Sequence, residues 1–221
     1  MQIKQRQSGF TLVEIAIVLV IIGLLLGGIL KGQEMITQAR IKNVINDFNG
    51  ITAAYASYQD RYRAIPGDDA GAIGRWTLAA ADATPSSPGN GTVDGPYNAP
   101  SATPEPESRL FWWHLRQSGF IAGPTTPAAQ AAQQPTNAVS GMIGATTGSG
   151  ALTVGLTGLI ICSANLPDKI AIAVDTQTDD QSSSTGSMRA MLQTAANPPI
   201  GAATASYAET GANQYLVCKG V

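Results

Sequence analysis

Residues 10–30 read Phe-Thr-Leu-Val-Glu-Ile-Ala-Ile-Val-Leu-Val-Ile-Ile-Gly-Leu-Leu-Leu-Gly-Gly-Ile-Leu, interrupted by a single charge. An apolar stretch of about 20 residues rises ~30 Å as a helix, the depth of a bilayer's hydrocarbon core. Further on, Ile41, Val44, Ile45, Phe48, Ile51, Tyr55, Tyr58 and Tyr62 recur at steps of three and four, which marks one buried helical face. Pro66-Gly67 ends that periodicity. One helix from Phe10 to about Arg63 is therefore predicted, ~80 Å long at ~1.5 Å per residue. Residues 10–33 form its membrane-spanning half, and residues 34–65 form an amphipathic half that packs on a domain. Gly23, Gly27, Gly28 and Gly32 each weaken the first half by about 1 kcal/mol relative to alanine, which makes local melting plausible there.

Residues 66–221 make the domain. Asp68 or Asp69 is placed to cap a short helical segment ending near Ala81. Residues 82–107 collect proline, glycine, serine, asparagine and threonine and read as an exposed loop. A helix follows from Glu107 toward Ile121, with Leu110, Phe111 and Trp113 turned inward. Residues 123–151 form a second long loop, rich in alanine, threonine, glutamine, glycine and proline. Strand signals come late, at Leu152–Cys162, at Lys169–Val174 with alternating Ile170, Ile172 and Val174, and at Gln214–Cys218. An antiparallel sheet lying on the second half of the long helix buries these alternating faces, so the predicted fold class is α+β.

Composition narrows the function classes. At 221 residues the chain holds one domain of ~100–200 residues plus an appendage. Charged residues are 13%, against about 25% in ordinary soluble domains. A formal charge of −2 offers no basic patch for nucleic acid. Phosphate-cradling glycine loops, His/Cys ligand clusters and Gly-x-Ser-x-Gly elbows are lacking, which argues against an enzyme. His114 is the single histidine and is read as a partly exposed helical residue, since the sequence supplies no catalytic or ligand partners for it. The two cysteines, Cys162 and Cys218, stand in apolar, strand-like surroundings and form a disulfide if the domain lies outside the cytoplasm; two buried thiols are the alternative.

The N-terminal stretch has three readings. A secretory signal has a shorter apolar core ending in small residues of the Ala-x-Ala kind, and this one runs on into Lys31-Gly32. A plain signal anchor accounts for the length and for Lys4 and Arg6, which keep the N-terminus cytoplasmic, but it leaves Glu14 without a reason. A carboxylate in a membrane helix costs a few kcal/mol and marks a functional site whose partner should be found. The run Ser8-Gly9-Phe10-Thr11-Leu12-Val13-Glu14 resembles the prepilin peptidase site of type IV pilins and type II secretion pseudopilins.

That resemblance covers residues 1–65 and implies a leader of residues 1–9, a cut after Gly9, N-methylation of Phe10 and a ladle-shaped subunit. It further implies that Glu14 of an incoming subunit pairs with the Phe10 amine of a neighbour, offsetting two buried charges and setting the axial stagger. Many members carry a proline in the protruding half, and this chain has only the four glycines there. The implied partners are prepilin peptidase, an assembly platform in the bacterial inner membrane, and copies of the chain or other pilins in a periplasmic or extracellular filament. A major subunit, a minor pilin or pseudopilin whose loops bind a surface, an exported protein or DNA, and a non-polymerising anchored binding domain all remain open. The segment Asp175 to Arg189 is similar to a loop of some pilin-like proteins in which paired acids precede a glycine. Asp175, Asp179 and Asp180 are accordingly a Ca²⁺ candidate, with turn-forming acids as the commoner outcome.

Overall fold

The computed structural model describes residues 11–76, 89–102, 105–126, 128–148 and 154–221, with the side chains of Ala128 and Ala129 excepted. The predicted leader through Gly9 and the following Phe10 lie outside these residues, as do the predicted helix end near Ala81 and the start of the predicted strand at Leu152. The chain divides into two compact units, residues up to Ala39 and Arg40–Val221.

Helix α1 is Leu12–Tyr62. In the first unit its apolar side chains are exposed, from Leu12 through Ile36. In the second unit Ile41, Val44, Phe48, Ile51, Ala54 and Tyr58 are buried. These six fall at steps of three and four, and all but Ala54 belong to the stripe that the sequence predicts.

The second unit continues with α2 (Ala72–Arg75), α3 (Glu107–Gln117), α4 (Ala128–Ala131), β1 (Ile143–Gly148), β2 (Gly158–Pro167), α5 (Asp168–Thr178), β3 (Met188–Leu192) and β4 (Gln214–Gly220). The strands form one antiparallel sheet in the order β1-β2-β4-β3. A long N-terminal helix with a four-stranded antiparallel sheet is an α+β arrangement, as expected. On one face the sheet joins the stripe of α1, Phe111, Trp112 and Leu115 of α3, and Ile170 and Val174 of α5 in the main core. On the other face Tyr97, Val154 and Leu156 pack on Ile160, Cys162, Leu216 and Cys218. The sheet is thus buried on both sides, which is why Leu159-Ile160-Ile161-Cys162 is a continuous apolar run rather than an alternating one.

The structure overturns several expectations. Lys169–Val174 is not a strand but the start of α5, and its buried residues Ile170, Ala171, Val174 and Asp175 line one helical face. An alternation of three apolar residues fits either period, and only the longer window separates them. Neither Asp68 nor Asp69 is the N-cap of α2; Gly71 holds that position without a side-chain cap. The helix after Glu107 stops at Gln117, with Leu110, Phe111 and Trp113 buried as predicted. In the predicted exposed loop 82–107, residues 89–102 lie outside any helix or strand, as a loop does, but Val93, Tyr97 and Ala99 within them are buried. The stretch 123–151 contains α4 and β1, and Gln134 and Asn137 within it are buried.

Two glycines set this packing. Gly67, at φ +94°, lies so close to the first turn of α3 that a Cβ would stand 2.7 Å from the Glu107 carbonyl oxygen. Gly144 of β1 passes the Tyr97 backbone so closely that a Cβ would stand 2.1 Å from its carbonyl oxygen.

Candidate functional site

Glu14 sits in the first turn of α1 and Thr11 immediately precedes the helix. The Thr11 N–H and the Thr11 hydroxyl each donate to Glu14 Oε2 at 2.8 Å, and the Glu14 N–H donates to Thr11 Oγ1 at 3.3 Å. This is a capping box, in which a threonine and a glutamate three residues on satisfy each other's otherwise unpaired backbone donors. The spacing Thr11-x-x-Glu14 is the sequence signal of this cap. Both bonds from Thr11 fall on Oε2, leaving Oε1 open on the helix surface among the described residues.

The helix behind this cap is long and apolar enough to cross a membrane. From Leu12 to Leu30 its leucines, isoleucines and valines are exposed among the described residues. Lipid or other helices are the environments that match such a surface.

Cys162 of β2 and Cys218 of β4 stand directly opposite each other in the sheet register, with Cα atoms 4.0 Å apart, and are joined by a disulfide. The crosslink ties the last strand to the central one across 56 residues of sequence. In the chain-entropy account a loop of that size stabilises the fold by about 4 kcal/mol.

Asp175, Asp179 and Asp180 are brought together at the end of α5, with ligand-type oxygens within 4.8 Å of one another. Such oxygens are of the kind that Ca²⁺ takes, though Ca²⁺ uses about 6–8 of them. Here the chain's own donors already engage each carboxylate. Asp175 accepts from the Tyr207 hydroxyl at 2.7 Å and the Gln181 N–H at 3.2 Å, and Asp179 from the Met188 N–H at 2.8 Å. Asp180 accepts from the Thr185 hydroxyl at 2.5 Å and the Ser182 N–H at 3.0 Å, bonds that hold its carboxyl below the usual range. Burial pushes Asp175 up instead, against the opposing bonds from Tyr207 and Gln181. The arrangement organises the turn from α5 into β3.

His114 is fully buried rather than partly exposed. Its Nδ1 accepts the Gly67 N–H at 2.8 Å, and its ring stacks on Tyr58 within a cluster that includes Trp76 and Trp113. Burial lowers its pKa to about 3, with the Arg75 charge adding, so it stays neutral. Asp69 completes the cluster by accepting from the Tyr58 hydroxyl at 2.6 Å and the Gly71 N–H at 2.9 Å and by pairing with Arg75. Asp68 accepts the N–H groups of Gly89, Asn90 and Gly91, pinning the following segment. Both acids serve structure, and no local spacing in the sequence reveals the partners of Asp68, 21 to 23 residues away.

No curated protein and no solved structure matches the chain. A family model described as the prokaryotic N-terminal methylation motif matches residues 4–30. The matched segment contains Gly9, Phe10 and Glu14 and opens the apolar helix. The motif and the helix fit a type IV pilin-like or pseudopilin protein anchored in a membrane as a precursor, and the chain carries, at residues 4–30, the prepilin signal of type IV pilins and pseudopilins.

Proposed function

We propose that this chain is a structural subunit of a type IV pilus-like filament, cut by prepilin peptidase between Gly9 and Phe10 and polymerised through α1. The observation that carries the reading is the uncovered apolar surface of α1 from Leu12 to Leu30, with Glu14 as its only acid. A bilayer covers that surface in the stored subunit, and the α1 helices of other subunits cover it in the filament. The driving force for transfer is packing, because lipid tails are as apolar as leucine.

Glu14 supplies the specificity. Once the leader is removed, the Phe10 amine is a cation at membrane depth, and the carboxylate of a neighbouring subunit neutralises it. A buried charge left alone costs several kcal/mol, so misregistered assemblies are disfavoured. Oε2 remains bound to Thr11, and Oε1 is free to accept from the amine.

Glu14→Ala tests this directly. The variant is expected to insert into the inner membrane as well as the wild type and to lose filaments when sheared surface material is imaged. Wild-type filament yield from Glu14→Ala would remove the pairing argument. The abundance of the chain in those filaments distinguishes a major subunit from a minor pilin or pseudopilin. The domain's role is structural in this reading, since its buried acids are engaged in holding loops.

A further inference from the structure

Asp47 lies on α1 beside the buried stripe, half-buried, on a groove of about 260 Å³ whose walls include Ile51, Trp112, Phe120, Ile121 and Ile143. Among the described residues it has neither a hydrogen bond nor an ion pair. Burial pushes its pKa up, with no opposing charge or donor to bring it back. A carboxylate held against indole and aliphatic carbon without a partner is unfavourable. The side chain that suits the place has an aliphatic stem to lie on the apolar walls and a cationic head to reach the acid, as lysine has.

Lys42, on the same helix, is exposed and has no ion-pair partner either. Five residues separate it from Asp47, so the two do not meet within one helix, where pairs form at three or four. At ~100° per residue they point about 140° apart around α1. Complementary groups on different sides of one element match in a head-to-tail assembly, where one face of a copy meets the other face of the next.

We propose that the groove beside Asp47 is an interface between copies of this chain, in which Asp47 of one subunit receives Lys42 of its neighbour. This rests on the filament reading above. The register agrees with it: Glu14 beside a neighbour's Phe10 is a shift of four residues along α1. The same shift sets Asp47 level with residue 43 of that neighbour, one residue or ~1.5 Å from Lys42. Arg40 of the neighbour falls ~4.5 Å from that level. One stagger therefore satisfies both charge pairs, the first at the membrane end and the second beside the domain.

Filaments of the full chain test the proposal. The native cysteines are bonded to each other, so introduced thiols report alone. With Lys42→Cys and Asp47→Cys in one chain, a short bismaleimide is expected to give a ladder of covalent multimers, and neither single variant is. Charge exchange is the second arm. Lys42→Asp and Asp47→Lys are each expected to lower filament yield at least tenfold, and the two together to restore it. Filaments that form but give no ladder beyond the single variants, or a charge exchange that fails to rescue, overturn the Asp47 interface while leaving the filament reading intact. If the wild-type chain forms no filaments, both fall.

Discussion

Glu107 shows how a single buried acid couples this fold to pH. It opens α3 with 1% exposure; Oε2 accepts the Asp94 N–H at 2.8 Å and Oε1 has no partner among the described residues. Burial pushes its carboxyl up to about 7, outweighing the bond from Asp94, with the charges of Asp68 and Asp94 adding to the rise. The folded chain therefore binds this proton more tightly than the unfolded chain does, from an ordinary value of 4.5 up to about 7. The sign follows: this residue's contribution is fully present at low pH and declines as pH rises through that window. Asp168 acts in the opposite sense. Backbone N–H groups of Gly211, Lys169, Thr210 and Asn213 overcome its burial and hold it below the usual range, so its contribution is lost as pH falls. Glu107→Gln isolates the first effect. Relative to wild type, its melting temperature is expected to rise between about pH 5 and about pH 7.5, and a difference that does not change with pH would contradict the assignment.

Glycine substitutions of opposite sign probe the packing at the same level of detail. Gly144→Ala drives a Cβ into the Tyr97 carbonyl and is expected to cost about 1–3 kcal/mol by urea titration. Gly50→Ala, in the interior of α1 with open space around it, is expected to stabilise by up to about 1 kcal/mol. Equal effects from the two would mean that backbone propensity, not the approach of β1 to Tyr97, decides the outcome.

Among the elements, β2 and β4 are the frame to which the others attach, and the disulfide joins them at directly opposed positions. Replacing Cys162 and Cys218 together by alanine is expected to cost about 2–5 kcal/mol of unfolding free energy. A loss confined to β3 and the C-terminus in hydrogen exchange would show instead that the crosslink acts locally. The second half of α1 is legible in the sequence because its apolar stripe keeps the helical period, and β4 because Tyr215-Leu216-Val217-Cys218 is a continuous apolar run. Strand β1 was not, since Ile143-Gly-Ala-Thr-Thr-Gly148 has few large apolar side chains and owes its place to Tyr97 and to pairing with β2. Nor was β3, whose Met188-Arg-Ala-Met-Leu192 favours helix by propensity and is held extended by β4. The cysteine pair was visible as a possibility, and the sheet register decides it. The aromatic cluster around His114 joins residues from α1, the turn at Gly67 and α3, and such long-range packing leaves no local trace.

For the molecule as a whole, the domain and the N-terminal segment answer different questions. The domain holds a disulfide across its two central strands, a crosslink that suits an oxidising compartment. The methylation motif, the capping box at Thr11 and the exposed apolar helix fit a membrane-anchored precursor and carry the assembly proposed above. In the proposed assembly everything depends on one bond being cut, because only cleavage after Gly9 would create the amine that Glu14 is proposed to meet. The most direct measurement is therefore mass spectrometry of the N-terminal peptide from the membrane-extracted chain. The result expected is a chain that begins at N-methylated Phe10; a chain that keeps Met1, or begins at any other residue, contradicts the account.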